Sequence, residues 1–129
     1  MTNLRPSPPR RAVVLLVDDE ADIREVLTLG LSPHFEVEAA ASTHEAELML
    51  ATREFDVIVC DHLMPDEEGL PFLIRARQQY PKVQRILLTG YINPELLSRS
   101  TEIAGLAAVL MKPSATDALV EAIRLVLPR

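Results

Sequence analysis

Four kinds of side chain that carry chemistry fall where apolar runs of this sequence stop. Asp18-Asp19-Glu20 ends the run Val13 to Val17, and Asp61 ends Val57-Ile58-Val59-Cys60. Thr89 closes Ile86-Leu87-Leu88, and Lys112 follows Ala107 to Met111. The first two runs are short, partly β-branched and uninterrupted, as a strand buried on both faces should be. Carboxylates at the carboxyl ends of parallel strands open into the crevice where such sheets place their ligands. Two unit charges about 4 Å apart repel by roughly 4 kcal/mol at an effective dielectric of 20. Three ionised aspartates (Asp18, Asp19 and Asp61) held together therefore call for a cation, and oxygen-only ligands favour a hard one such as magnesium. A carboxylate can act as a nucleophile and form an aspartyl phosphate. A metal, a hydroxyl and a lysine around Asp61 suit phosphoryl transfer to it. The metal would offset the charge of phosphoryl group and acceptor, Lys112 would pair with one phosphoryl oxygen, and Thr89 would donate to another.

The elements that must position these residues alternate along the chain. Ala12–Val17 reads as the first strand. Ile23, Val26, Leu27 and Leu31 give a first amphipathic helix, which Pro33 closes. Phe35–Ala39 alternates apolar and acidic, so the second strand is half exposed and an edge. Ser42 followed by Glu45 is a capping-box start for the second helix, with Ala46, Met49 and Leu50 facing inward. The third strand is Val57–Asp61, and Leu70, Leu73 and Ile74 mark a third helix ending near Pro81. The fourth strand is Arg85–Thr89, and Asn93-Pro94 supplies an N-cap and first-turn proline for the fourth helix. The fifth strand is Ala107–Met111, and the fifth helix runs from about Ala115 to Leu127 on an inner stripe of Leu119, Ala122, Ile123 and Val126. Five such units predict an α/β doubly wound, five-stranded parallel sheet, flavodoxin-like, with five helices in a single domain. With the second strand at an edge the order 2-1-3-4-5 fits, consistent with the sequence rather than derived from it. The first and third strands are then neighbours, and Asp18, Asp19 and Asp61 converge at the switch point.

Composition sets the outer bounds. The 129 residues are enough to bury one core without staples. A net charge of −6 and a pI near 5.0 argue against non-specific nucleic-acid binding. Cys60 is the one cysteine, which excludes an intramolecular disulfide and a Cys-rich zinc motif. In a buried strand it is expected to act as a small apolar residue. No apolar stretch approaches a membrane span and the first residues lack a signal-peptide core, so the sequence reads as cytoplasmic with no membrane partner. Residues 1–11, with Pro6, Pro8 and Pro9 beside Arg5, Arg10 and Arg11, read as a disordered N-terminal arm, and 12–129 as the domain.

The chain resembles the receiver domains of two-component response regulators from Val13 to about Leu127. The resemblance rests on Val17-Asp18-Asp19-Glu20, on Asp61 with Met64-Pro65 and Gly69, on Leu88-Thr89-Gly90 and on Lys112-Pro113. It implies that Asp61 is the phosphoacceptor. Asp19 would bind magnesium directly and Asp18 through water, with the Leu63 carbonyl as a further ligand. A histidine kinase or phosphotransfer protein would supply the phosphoryl group, and a downstream protein would read the face of the fourth helix, fifth strand and fifth helix. It also implies a cis Lys112-Pro113 bond. Such domains usually carry Tyr or Phe three residues before the lysine; Val109 stands there, and Tyr91 is the candidate substitute. Rival readings are a receiver-fold docking scaffold that works unphosphorylated, a small aspartate-nucleophile phosphatase and a flavodoxin-like mononucleotide carrier. The plainer reading of Asp18, Asp19 and Asp22 is that they cap the first helix. His34, His44 and His62 lack ligand spacing, and Glu67 and Glu68 read as loop-solvating residues.

Overall fold

The computed structural model describes residues 11–90, 94–112 and 115–128. The N-terminal arm apart from Arg11, Tyr91, the Asn93 cap and the Lys112-Pro113 bond lie outside the described residues. Strands β1 (Val13–Val17), β2 (Glu36–Ala40), β3 (Val57–Asp61), β4 (Gln84–Thr89) and β5 (Ala108–Met111) alternate with helices. These are α1 (Ala21–Leu31), α2 (Thr43–Leu50), α3 (Gly69–Gln79), α4 (Pro94–Ala104) and α5 (Thr116–Val126). The sheet is parallel throughout, in the order β2-β1-β3-β4-β5.

Register does the positioning. Val17 pairs with Cys60, Asp61 with Leu88, and Thr89 with Met111. The residue that follows each of β1 and β5, or closes β3 and β4, is therefore brought to one rim of the sheet. The pleat sends alternate residues to opposite faces. Val13, Leu15, Val17, Ile58 and Cys60 pack with Ala46, Leu50, Phe72, Leu73 and Ala104, on the side of α2, α3 and α4. Val14, Leu16, Val57, Val59, Ile86 and Leu88 pack with Leu27, Leu31, Leu119, Val120 and Ile123, on the side of α1 and α5.

Some inner positions differ from the expectation. Val26 is 61 % exposed, because on a 100° step it lies one position off the Leu27–Leu31 line that meets the sheet. In α3 the deepest side chains are Phe72 and Leu73, with Leu70 and Ile74 only partly buried. Pro71 is tolerated because it lies in the first turn, where N–H groups have no intrahelical acceptor. In α5, Val120 is buried and Ala122 only partly so. Strand β2 starts one residue late because the Phe35 N–H is spent on the Leu31 carbonyl at 2.9 Å. Its two acids are not simply solvated: Arg53 pairs with Glu36 at 3.4 Å and Glu38 at 2.9 Å. Ser42 caps α2 as expected, its hydroxyl accepting from Glu45 N–H at 3.1 Å, while Glu45 reaches back to Ala41 N–H. Arg11 is docked on the end of α1, donating to the carbonyls of Ser32 and Phe35.

Arg85 is the largest departure from an apolar strand. It is buried in β4, and its guanidinium donates to the carbonyls of Val83 (2.7 Å), Ala104 (2.8 Å) and Gly105 (3.1 Å). Arg77 of α3 donates to Glu102 and Ile103 at 2.7 and 2.9 Å. Together they cover the orphan carbonyls at the C-terminus of α4, where a positive charge also suits the helix dipole. Gly105 adopts φ 59°, and Leu106 N–H closes on the Thr101 carbonyl at 3.1 Å, a Schellman-type stop that glycine makes at no steric cost. Burial, and then the Arg77 charge, lowers the pKa of Arg85 from its ordinary value. We predict that Arg85→Leu destabilises the fold by about 2–4 kcal/mol, because three carbonyls lose a charged donor together. Urea unfolding would measure it, and a loss below about 0.5 kcal/mol would mean that water replaces the guanidinium without cost.

Candidate functional site

The rim formed by the strand ends gathers the expected residues. Asp18 is fully buried where β1 ends: its N–H donates to the Ala40 carbonyl at 3.1 Å, so it prolongs the pairing with β2. Its Oδ1 accepts from Glu20 N–H at 2.9 Å, and its carbonyl accepts from Arg24 at 2.8 Å. The capping explanation thus accounts for one oxygen of Asp18. Asp22 lies in the first turn of α1, where a carboxylate suits the helix dipole, while the residue that caps the helix is Glu20, without a side-chain bond. Asp61 is buried at the end of β3, and Asp19 is half-buried on the neighbouring loop. One carboxylate oxygen from each of Asp18, Asp19 and Asp61 lies within 4.8 Å of the others.

Lys112 enters this cluster from the end of β5. Its Nζ stands 3.1 Å from Asp61 Oδ1 and 3.3 Å from Asp18 Oδ2. Its N–H is tied to the Thr89 carbonyl at 2.9 Å, and Thr89 itself is buried at the end of β4. Burial raises the pKa of Asp61 above its ordinary value; the bond and charge of Lys112 and a Leu63 N–H act against this, while Asp18 adds to it. For Lys112 burial works to lower the pKa, but the bond to Asp61 and the charges of Asp18 and Asp61 outweigh it and hold the amine above its usual range. One ammonium thus faces three carboxylates. That excess of negative charge on a compact set of oxygen donors fits a hard divalent cation.

The flanking residues separate into necessary and incidental. A Cβ on Gly69 would lie 2.2 Å from the Asp61 carbonyl oxygen, so this glycine is required by close approach of α3 to the acceptor strand. At Gly90, among the described residues, a Cβ would meet the Lys112 Cβ at 3.9 Å, an ordinary contact. Cys60 is buried and its thiol pKa is raised well above normal, by burial and then by the charges of Asp61 and Asp18, which keeps it an apolar filler. His62 pairs with Glu68 at 3.1 Å, leaving a buried Nδ1 with no partner among the described residues. His34 contacts Arg124, and His44 is exposed. The Leu63 side chain is 64 % exposed beside the acceptor. Val109 is half-buried against the core on the α2–α4 side. Glu67 is not a loop solvator, since it binds Arg75; Glu68 is exposed and pairs with His62, and Asp66, not singled out in the sequence, accepts from Thr43. No spacing rule links Thr43 or Arg75 to that loop, so sequence reasoning had no signal for them.

Comparison with known proteins agrees with this geometry. Residues 14–124 match the family model described as response regulator receiver domain. The chain is 33 % identical over 115 residues to the hydrogenase transcriptional regulatory protein HoxA of Cupriavidus necator, covering 89 % of this chain and 24 % of that protein. It therefore spans about a quarter of the length of such relatives. Among solved structures, the chemotaxis protein CheY4 of Vibrio cholerae superposes with a TM-score of 0.85 at 32 % identity, covering 91 % of this chain and 99 % of that one. The signal receiver domain of an HD domain-containing protein from Pseudomonas fluorescens gives 0.84 at 33 % identity, covering 90 % and 94 %. Matching family model, shared sheet order and an acidic rim with its lysine lead to one assignment: the chain belongs to the response regulator receiver domain family of two-component signalling systems.

Proposed function

We propose that this domain is a phosphoryl-accepting switch in which Asp61 takes the phosphoryl group from a phosphohistidine of a histidine kinase or phosphotransfer protein. The observation that carries the reading is the Lys112 ammonium held between Asp61 and Asp18 on a rim of three carboxylates. The nitrogen–phosphorus bond breaks as the bond from an Asp61 oxygen to phosphorus forms; the imidazole nitrogen keeps the electron pair and takes a proton from solvent. Burial, which raises the pKa of Asp61, leaves its anion less stabilised than in water and so more nucleophilic. Lys112 is placed to pair with one phosphoryl oxygen, and Thr89, at the adjacent strand end, to donate its hydroxyl to another. Asp18, Asp19 and Asp61, with the Leu63 carbonyl, would hold Mg2+. When bound, that cation supplies neutralisation of the charge gathered on acceptor and phosphoryl group.

The domain acts as a switch rather than as an enzyme, and phosphorylation biases two states of the α4–β5–α5 face. Among the described residues these elements expose the large apolar side chains Ile103, Met111 and Leu125, which supports a protein partner there. The half-buried Val109 has no ring to rotate, so the coupling runs through the backbone of β4 and β5, joined by the bond from Lys112 N–H to the Thr89 carbonyl. No helix among the described residues is long and apolar enough to cross a membrane. We place the domain in the cytoplasm, with neither nucleic acid nor membrane as its direct partner. We take residues 12–129 as the receiver unit and 1–11 as the segment ahead of it, of which Arg11 docks on the end of α1.

Incubation with acetyl phosphate and magnesium, followed by intact mass measurement, tests the reading: a stable gain of one phosphoryl group supports it. Turnover to free phosphate would instead indicate a phosphatase, and no change a docking scaffold. Asp61→Asn should abolish uptake and keep the fold. The raised acid pKa makes the folded state hold the Asp61 proton more tightly than the unfolded state does. Stability linked to this group is therefore present below the ordinary value of 3.8 and lost as pH rises through the folded value. Without metal, the Asn variant should melt higher than wild type at pH 7, and the gap should close as pH falls toward 3.8. Equal labelling of the two proteins refutes the acceptor assignment.

Magnesium should raise the melting temperature at neutral pH by mass action, since only the native state gathers the three carboxylates. Asp19→Ala should remove most of that rise. A melting temperature indifferent to millimolar magnesium would remove the metal site from the proposal. The aspartyl phosphate should also be long-lived, because the exposed Leu63 side chain has no group to orient an attacking water. Leu63→Asn should speed phosphate release after the donor is removed, each tenfold corresponding to about 1.4 kcal/mol of barrier. An unchanged or slower decay counts against this role of Leu63.

A further inference from the structure

The segment between Asp61 and α3 is tied at its base and at its tip. At the base, His62 N–H donates to the Leu88 carbonyl at 2.9 Å and Gly69 N–H to the His62 carbonyl at 2.8 Å, closing a short loop against β4. At the tip, Asp66 Oδ2 accepts from the Thr43 N–H at 3.2 Å and the Thr43 hydroxyl at 2.9 Å. A loop carboxylate thus sits on the first turn of α2, where N–H groups lack intrahelical acceptors and the dipole favours an anion. Beside it Glu67 makes a two-bond pair with Arg75 of α3, one arm of it at 2.6 Å. The same guanidinium reaches Glu47 of α2 through Nη2 at 2.6 Å and Nε at 3.0 Å.

These ties contribute little to global stability. Arg75 and Glu47 are 41 % and 40 % exposed and Glu67 26 %, and ion pairs so open to water are weak. What they hold is specific: the stretch from Asp61 to Gly69, which carries Leu63 two residues after the acceptor and is closed at its base by the His62–Leu88 and Gly69–His62 bonds. A donor on a free loop must be ordered when its ligand binds, and that ordering subtracts from affinity. Ties to two separate helices remove the cost beforehand. Arginine suits the place because its planar fork serves two carboxylates at once.

We infer that Arg75, together with the Asp66–Thr43 contact, positions the β3–α3 loop so that the Leu63 main chain stands ready for the cation and the acceptor carboxylate. The inference rests on the magnesium-dependent acceptor reading above. Arg75 touches none of the three clustered aspartates; it is a positioning residue.

The test uses Arg75→Met, which keeps the apolar stem, Arg75→Lys as the conservative variant, and Thr43→Val, which deletes only the hydroxyl donor. Magnesium affinity is measured by calorimetric titration of the unphosphorylated protein. Phosphoryl uptake from phosphoramidate is followed as a function of magnesium, and amide exchange of the loop is followed without metal. Arg75→Met and Thr43→Val should each weaken magnesium binding about three- to fivefold, the scale of losing one half-exposed tie. The half-saturating magnesium for uptake should rise by the same factor while the saturated rate stays within about twofold, and Arg75→Lys should recover part of the affinity. Loop amides should exchange faster with β1 and β3 amides unchanged. Wild-type-like affinity and loop exchange in Arg75→Met overturn the inference alone, as does a lowered saturated rate at unchanged half-saturation. A wild-type protein that neither binds magnesium nor takes up a phosphoryl group brings down the acceptor reading and the inference with it.

Discussion

The organising constraint of this molecule is the repulsion among carboxylates held at one rim of the sheet. Withdrawing an ionised carboxylate from water costs several kcal/mol even after relaxation, yet Asp18 and Asp61 are both buried there. Lys112 offsets part of that cost, and the hydrogen bonds to Asp18 offset more. The remainder stays in the site as an unmet demand for positive charge. That demand only exists because the strand register holds the carboxylates together; a one-residue slip of β3 against β1 would turn Asp61 toward the opposite face of the sheet.

At this rim and at the opposite end of the sheet, the fold spends arginine side chains on backbone ends. Arg24 and Glu20 fix the Asp18 turn, Arg77 and Arg85 close the end of α4, and Arg11 closes the end of α1. Arginine recurs because its fork can satisfy several carbonyls or carboxylates at once without losing its charge. The apolar layers on either side of the sheet contribute the bulk of the stability, and these polar closures decide which ends stay in place.

The strands and their rim were legible in the sequence because uninterrupted β-branched runs and the residues that stop them are local signals. Val57–Asp61 was read to the residue, and an acidic, alternating second strand was consistent with the sheet order without deriving it. The helix faces were legible only to within one position, as Val26 and Phe72 show, because neighbouring stripes of a helix differ by 100° and both carry apolar residues here. Arg85 was invisible as a buried residue: its acceptors are carbonyls of the α4 end and of a nearby loop, and carbonyls leave no trace in side-chain sequence. The same holds for Asp66 and Thr43, whose contact is 23 positions apart in the chain and has no periodicity to betray it. Gly69 was matched as part of a motif, but its reason, the 2.2 Å approach to the Asp61 carbonyl, is a packing fact.

The two arginines at the end of α4 make that helix a lever. Its carboxyl end is bolted to α3 and β4 through four consecutive carbonyls, from Glu102 to Gly105. Sliding or rolling it as a whole would break those bonds together, whereas a tilt about the bolted end would strain them least. Eleven residues make an arm of about 16 Å, so a tilt of about 10° would carry the amino end, the one that follows Thr89 in the chain, roughly 3 Å. A tilt of that kind would be felt most where the arm is longest and least at the bolted end.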